Sequence, residues 1–195
     1  MGEFGHLMSP IRYDLVTGRT VSIVTISFFV LVSLATLGTL LLRYRTGSGP
    51  AGRPLFKALA TPFIGVWILG VGGVSLACYL YAPRAFLIHS EGIIIDRMVS
   101  PILVAWDQVK TIREVTPEEF SGTIRVFGNG GLFGRVGTYR SKLLGNFRMY
   151  LTNEVDAVLI DANERYVISP HPAGGFVRDA TRALTLYRDT RRPLQ

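Results

Sequence analysis

Between Val126 and Lys142 the sequence reads VFGNGGLFGRVGTYRSK, with glycines at 128, 130, 131, 134 and 137 and basic side chains at 135, 140 and 142. Glycines followed by cations are the raw material of phosphate loops, in which backbone N–H groups wrap the anion and a lysine neutralises it. The spacing does not fit that chemistry. No glycine starts a G-x-x-x-x-G-K-[ST] run, and in a G-x-G-x-x-G frame Gly128 and Gly130 are followed by Phe133 where the third glycine belongs. Both phosphate loops open a helix, whereas TYRSK and FRMYLT are strand-like. The block is therefore expected to be a structural, strand-connecting loop, with Gly128, Gly130, Gly131, Gly134 and Gly137 re-aiming the backbone. Leu132 and Phe133 are expected to plug a barrel or to touch a membrane surface.

Other reactive residues are sparse. His6, His89 and His171 are far apart and lie in no H-x-x-x-H or H-E-x-x-H pattern. His171, in SPHP, is expected near a helix start. Ser141 and Ser169 lack a G-x-S-x-G elbow. The single cysteine, Cys78, excludes an intramolecular disulfide and a thiol-rich metal site. No catalytic residue, metal ligand or cofactor site is nominated.

The same region offers a different chemistry. From Phe120 to Asn153 there is no acid, while Arg125, Arg135, Arg140, Lys142 and Arg148 are all present, and Glu114, Glu118 and Glu119 lie just before. These five cations are candidates for contact with anionic lipid headgroups or a protein partner, each worth about 1 kcal/mol near an anionic surface. Strand alternation distributes them over more than one face, and a merely solvated basic surface is the competing reading. The net charge of +7 does not imply nucleic acid: residues 1–83 carry six Lys/Arg and two acids, residues 84–195 fifteen and twelve, so the excess is small and largely juxtamembrane.

The elements that position these residues begin with two apolar stretches. Thr20–Leu42 holds no charge over 23 residues, which as a helix rises roughly 35 Å and crosses a hydrocarbon core of about 30 Å. Ala58–Ala82 is likewise uncharged. The first run is too long for a signal-peptide core and no A-x-A-like site follows it, so a span is expected rather than a cleaved leader. The short Gly/Pro-rich loop 43–57 makes an antiparallel transmembrane hairpin the expected arrangement, with both termini on one side. Gly73/Ala77 and Ala35/Thr39 either bring the helices close or reflect ordinary membrane-helix composition.

From Ala85 the pattern changes to short strand-like runs: FLIHSEGIIID around a Ser-Glu-Gly turn, then PILVAW, QVKTIREV, TIRVFG, FRMYLTN, AVLIDA and RYVISP. Phe147, Met149 and Leu151 alternate with Arg148 and Tyr150, and Ile124 and Val126 with Arg125, in the manner of half-buried strands. Phe176, Val177, Ala180, Leu184 and Tyr187 then fall on one helical face. This order, together with Glu91-Gly92, Trp106, Val109 and Ile112, resembles bacterial pleckstrin-homology-like (PH-like) domains, and the Gly-rich block followed by YVISP is similar to a membrane-anchored branch of them.

The resemblance implies an α+β membrane protein: a two-helix transmembrane hairpin, then a PH-like antiparallel β-barrel or sandwich of about seven strands with a C-terminal capping helix. The expected division is an N-terminal segment 1–19, a hairpin 20–83 (helices 20–42 and 58–82), a PH-like domain 84–188 and a tail 189–195. It implies a binding or scaffold module of the bacterial inner membrane without catalytic activity; a structural or adaptor subunit binding a protein partner, or an enzyme with an unrecognised site, are the alternatives. Four cations flank the inter-helix loop (Arg43, Arg45, Arg53, Lys57) and four the other side (Arg12, Arg19, Arg84, Arg97). The tighter loop charges favour a cytoplasmic loop, while the resemblance implies a cytoplasmic N-terminus and domain; the latter is the expectation adopted.

Overall fold

The computed structural model describes residues 10–46, 69–120 and 122–191. Ten strands are present among them: β1 (Ile11–Asp14), β2 (Pro83–His89), β3 (Gly92–Arg97), β4 (Ile102–Ala105), β5 (Thr111–Glu114), β6 (Ile124–Gly130), β7 (Arg135–Ser141), β8 (Gly145–Leu151), β9 (Val158–Asp161) and β10 (Arg165–Ile168). They form two sheets, of order β1-β2-β3-β4 and β5-β9-β10-β8-β7-β6. The expected seven antiparallel strands are thus corrected on two counts. β8 and β10 run parallel, and a strand is contributed by residues that lie before the first apolar helix.

One core fills the space between the sheets and beneath the C-terminal helix α3 (Ala173–Thr190). Phe86, Ile88, Ile93, Ile95 and Val104 meet Tyr150, Val158, Ile160 and Ile168, and the α3 face Phe176, Ala180, Ala183 and Leu184 seals them. Trp106 is fully buried there and its indole N–H donates to the His89 carbonyl at 3.0 Å, which is what a buried indole needs. A second cluster on the opposite face of the six-stranded sheet holds Phe147, Met149, Leu151, Leu159 and Val167. Tyr150 is therefore buried on the face where an exposed partner to Arg148 was expected, because the other sheet covers it.

Helix α1 (Arg19–Thr46) starts where expected and runs four residues past Leu42. Its window Val21–Thr39 is long and apolar enough to cross a membrane, and only 6% of it is buried. Helix α2 is described over Leu69–Tyr81; the rest of the expected second helix, and loop residues 47–57, lie outside the described residues. Gly73 has open space where a Cβ would stand and Ala77 is exposed, so neither makes a close helix approach among the described residues.

The N-terminal segment is part of the β-structure. β1 pairs antiparallel with β2, Ile11 opposite Ile88 and Tyr13 opposite Phe86. Tyr13 packs edge-on to Phe176 at 5.1 Å, and its hydroxyl donates to Asp179 at 2.6 Å. The chain then crosses to the other sheet: Thr152 donates its hydroxyl to the Val16 carbonyl at 3.1 Å, and Gly18 N–H donates to the Thr152 carbonyl at 2.6 Å. Residues 11–18 therefore bridge both sheets immediately before α1 begins.

Candidate functional site

The glycine block forms the β6–β7 hairpin. Gly128 and Gly137 stand opposite each other across the ladder, and a Cβ on either would strike the backbone of the other strand. Only glycine permits that close approach. The turn between them closes on Asn129, whose side-chain oxygen accepts from Gly131 N–H (3.3 Å) and Leu132 N–H (3.1 Å) and whose amide donates to the Leu132 carbonyl. Tyr139 donates its hydroxyl to the Asn129 carbonyl at 2.8 Å. Burial pushes the Tyr139 pKa up, and the charges of Arg125 and Arg135 draw it partly back.

This turn rests on the two apolar helices. Phe133 N–H donates to the Thr25 hydroxyl at 3.1 Å, and the Phe133 ring meets Phe29 of α1 at 6.1 Å and Tyr79 of α2 at 5.6 Å. Leu132 is buried. Gly131 faces Val24, which leaves no room for a larger side chain without displacing it. Beside the turn, where the helices meet the sheets, lies a cleft of about 380 Å³ lined by Val21, Thr25, Ile26, Pro83, Arg84, Met98 and Phe133, among others.

The five nominated cations are not one cluster. Arg125 and Arg135 line a shallow pocket of about 510 Å³ with Thr123 and Tyr139, and Arg135 is paired with Glu154 at 2.7 Å. Arg148 is paired with Glu164 at 2.7 Å and lines a separate polar groove. Arg140 and Lys142 lie at the opposite end of β7 from the turn, and with about 3.3 Å per strand residue that places them roughly 20 Å from it. Arg84 and Arg97, which the sequence offered only as topology charges, stand at the helix feet. Arg84 is exposed, whereas Arg97 is held over Tyr81 and Tyr150 at 5.7 and 5.6 Å and donates to the Ser100 carbonyl. A juxtamembrane position was the signal that marked them.

The family model for the bacterial PH domain matches residues 84–184, more than half of the chain. The chain belongs to the bacterial PH domain family. No curated protein and no solved structure matches it. The matched segment contains both sheets except β1 and the first two thirds of α3, so the PH domain here is completed by a strand from the other side of the helices.

His171 precedes α3 of this PH domain and pairs through Nδ1 with Asp156 at 2.9 Å, while Asn153 donates to the same carboxylate oxygen at 3.0 Å. His171 N–H also donates to the Asp14 carbonyl. These contacts tie together the β8–β9 loop, the α3 start and β1, which is a structural task. Among the described residues, no three His, Cys, Asp or Glu side chains converge to hold a metal ion. PH-like domains are in general binding modules rather than catalysts.

Proposed function

We propose that this protein is a membrane-anchored, non-catalytic binding module of the bacterial plasma membrane, whose helices α1 and α2 cross the bilayer as a hairpin inserted into a PH domain. The observation that carries the reading is β1. Residues before α1 are zipped to residues after α2, so a chain that crosses at α1 must return before β2. Cleavage of α1 as a signal sequence would remove β1 and strip Tyr13 from the core, which argues against that alternative. The helices support it too: Ile26, Leu31, Leu34 and Leu37 of α1 and Leu69, Val74 and Leu76 of α2 are each more than half exposed, a surface that lipid covers without cost and water does not.

The domain side is proposed to be cytoplasmic. The flanking charges are balanced, Arg12, Arg19, Arg84 and Arg97 against Arg43, Arg45, Arg53 and Lys57, and the family resemblance to membrane-anchored PH-like proteins supports the cytoplasmic side. The anionic-lipid contact is assigned to the domain surface near the helices, with Arg84 lining the cleft and Arg125 and Arg135 the shallow pocket behind the turn. Arg140 and Lys142, with the exposed Leu143 between β7 and β8, face away and favour a second, protein-binding surface at the far end.

The test uses the full chain reconstituted into phosphatidylcholine vesicles with and without phosphatidylglycerol. Resistance to alkaline extraction reports the anchor. Anionic lipid is expected to raise the unfolding temperature, and salt to erase the gain as the Debye length shrinks from about 10 Å at 0.1 M to 3 Å at 1 M. The double variant Arg84→Gln/Arg135→Gln is expected to lose that gain. Equal stability in both lipids would leave protein binding as the function.

A further inference from the structure

We propose that the β6–β7 hairpin is itself a membrane-inserted element, with its glycine-rich turn in the outer hydrocarbon layer and Phe127 and Val126 seated at the headgroup level. This inference rests on α1 spanning the bilayer. The 23 uncharged residues from Thr20 to Leu42 rise roughly 35 Å, against a core of about 30 Å, so the hydrocarbon boundary on the domain side falls near Val21. Thr25 then lies roughly 6 Å beneath that boundary and Phe29 roughly 12 Å. Phe133 touches both, so the turn shares their depth.

Backbone at that depth has no water to bond, and each unsatisfied group is costly. The turn meets part of this condition. Gly131 and Leu132 donate to Asn129, Phe133 donates to Thr25, and the Leu132 carbonyl accepts from Asn129. Gly131 through Gly134 carry no charge, and the nearest guanidinium, that of Arg125, lies against Gly130 at the outer end of the turn.

The edge strand leading to the turn shows the same preference. Phe127 is 79% exposed and Val126 62%, although β6 borders the sheet on one side only. Gly130 stands opposite Arg135, which places that pair at the hydrocarbon boundary, and Phe127, three residues further along the strand or about 10 Å, falls at the outer headgroup level. Apolar side chains on an open edge invite pairing with another chain; bilayer contact covers them instead.

The experiment uses the full chain carrying Cys78→Ser and one spin-labelled cysteine, at Phe127, Leu31 or Leu143, in vesicles of phosphatidylcholine and phosphatidylglycerol. Collisions with oxygen report lipid, and collisions with a nickel chelate report water. Leu31→Cys is expected to be oxygen-accessible and Leu143→Cys nickel-accessible. Phe127→Cys is expected to favour oxygen several-fold over Leu143→Cys. If the label at 127 matches that at 143 while that at 31 stays deep, the span stands and the inserted hairpin is wrong. A nickel-accessible label at 31 removes the span and the hairpin insertion with it. A label at 127 shielded from both reagents, with disulfide formation between unlabelled copies, would make β6 a contact between chains and overturn the proposal.

Discussion

Helices α1 and α3 both carry many apolar residues, yet they distribute them in opposite ways. On α3 the buried positions Phe176, Ala180, Ala183 and Leu184 form one stripe, and Arg178, Asp179, Arg182 and Arg188 occupy the rest. On α1 the uncharged composition continues around the whole circumference, and among the described residues little of it is buried. A single apolar stripe fits a helix lying between a core and water; an apolar cylinder fits a helix whose solvent is apolar. The two helices therefore distinguish two environments within one chain, and substitutions separate them.

The largest effect is expected in the core beneath α3. Phe176→Ala is expected to lower unfolding stability by about 3–5 kcal/mol through lost burial and a cavity, read by denaturant unfolding, with membrane insertion unchanged. In α1, Leu31→Arg is expected to cost about 2.5–3.5 kcal/mol of insertion free energy. Glycosylation mapping would show lost or inverted insertion, and an unaltered pattern would break the comparison. Gly131→Val is expected to destabilise by about 1–3 kcal/mol, since it combines a φ of 152° with a contact against Val24. Thermal unfolding reads that loss, and a neutral outcome would mean the turn does not bear on α1.

A smaller effect ties the two helices together through Tyr13. Burial, reinforced by the bond to Asp179, pushes its pKa up from 10.0 to about 12. The folded value lies above the unfolded one, so the contribution is fully present below pH 10 and is lost as pH rises to about 12. Tyr166 is raised to about 12 as well, by burial and Glu164, so Tyr13→Phe is expected to shallow the alkaline loss without abolishing it. The same substitution removes one hydrogen bond, about 1 kcal/mol at neutral pH. Least of all, Leu186→Arg on the outward side of α3 is expected to change stability by no more than about 0.5 kcal/mol, in contrast to the same change in α1.

What the sequence revealed follows the range of the interactions involved. α1 was legible from 23 uncharged residues, and α3 from its 3.6-residue repeat, because both signals are local. Trp106 and Val109 stood out only as positions that carry the family resemblance, and both are buried. β1 was not legible: IRYD alternates apolar and charged residues but is only four residues long, and its partner lies some seventy positions away across both helices. The parallel β8–β10 pair was hidden for a different reason: alternation marks a strand's faces but not its direction against a neighbour. Ile124 and Val126 alternate like half-buried residues but are 69% and 62% exposed, since alternation identifies a face without saying what covers it. The basic residues were found by composition; composition did not show that β7 would hold Arg135 and Arg140 at opposite ends.

The central claim is that β1 and the matched PH domain form one body on one side of a membrane, with the helices inserted between them. In a Cys78→Ser background, single cysteines at Pro10 and at Leu143 are to be labelled with a membrane-impermeant thiol reagent in sealed vesicles of known orientation. Labelling of both from the same side, and of neither from the other, is the predicted result. Labelling of Pro10→Cys and Leu143→Cys from opposite sides would contradict it, because β1 could not then reach β2.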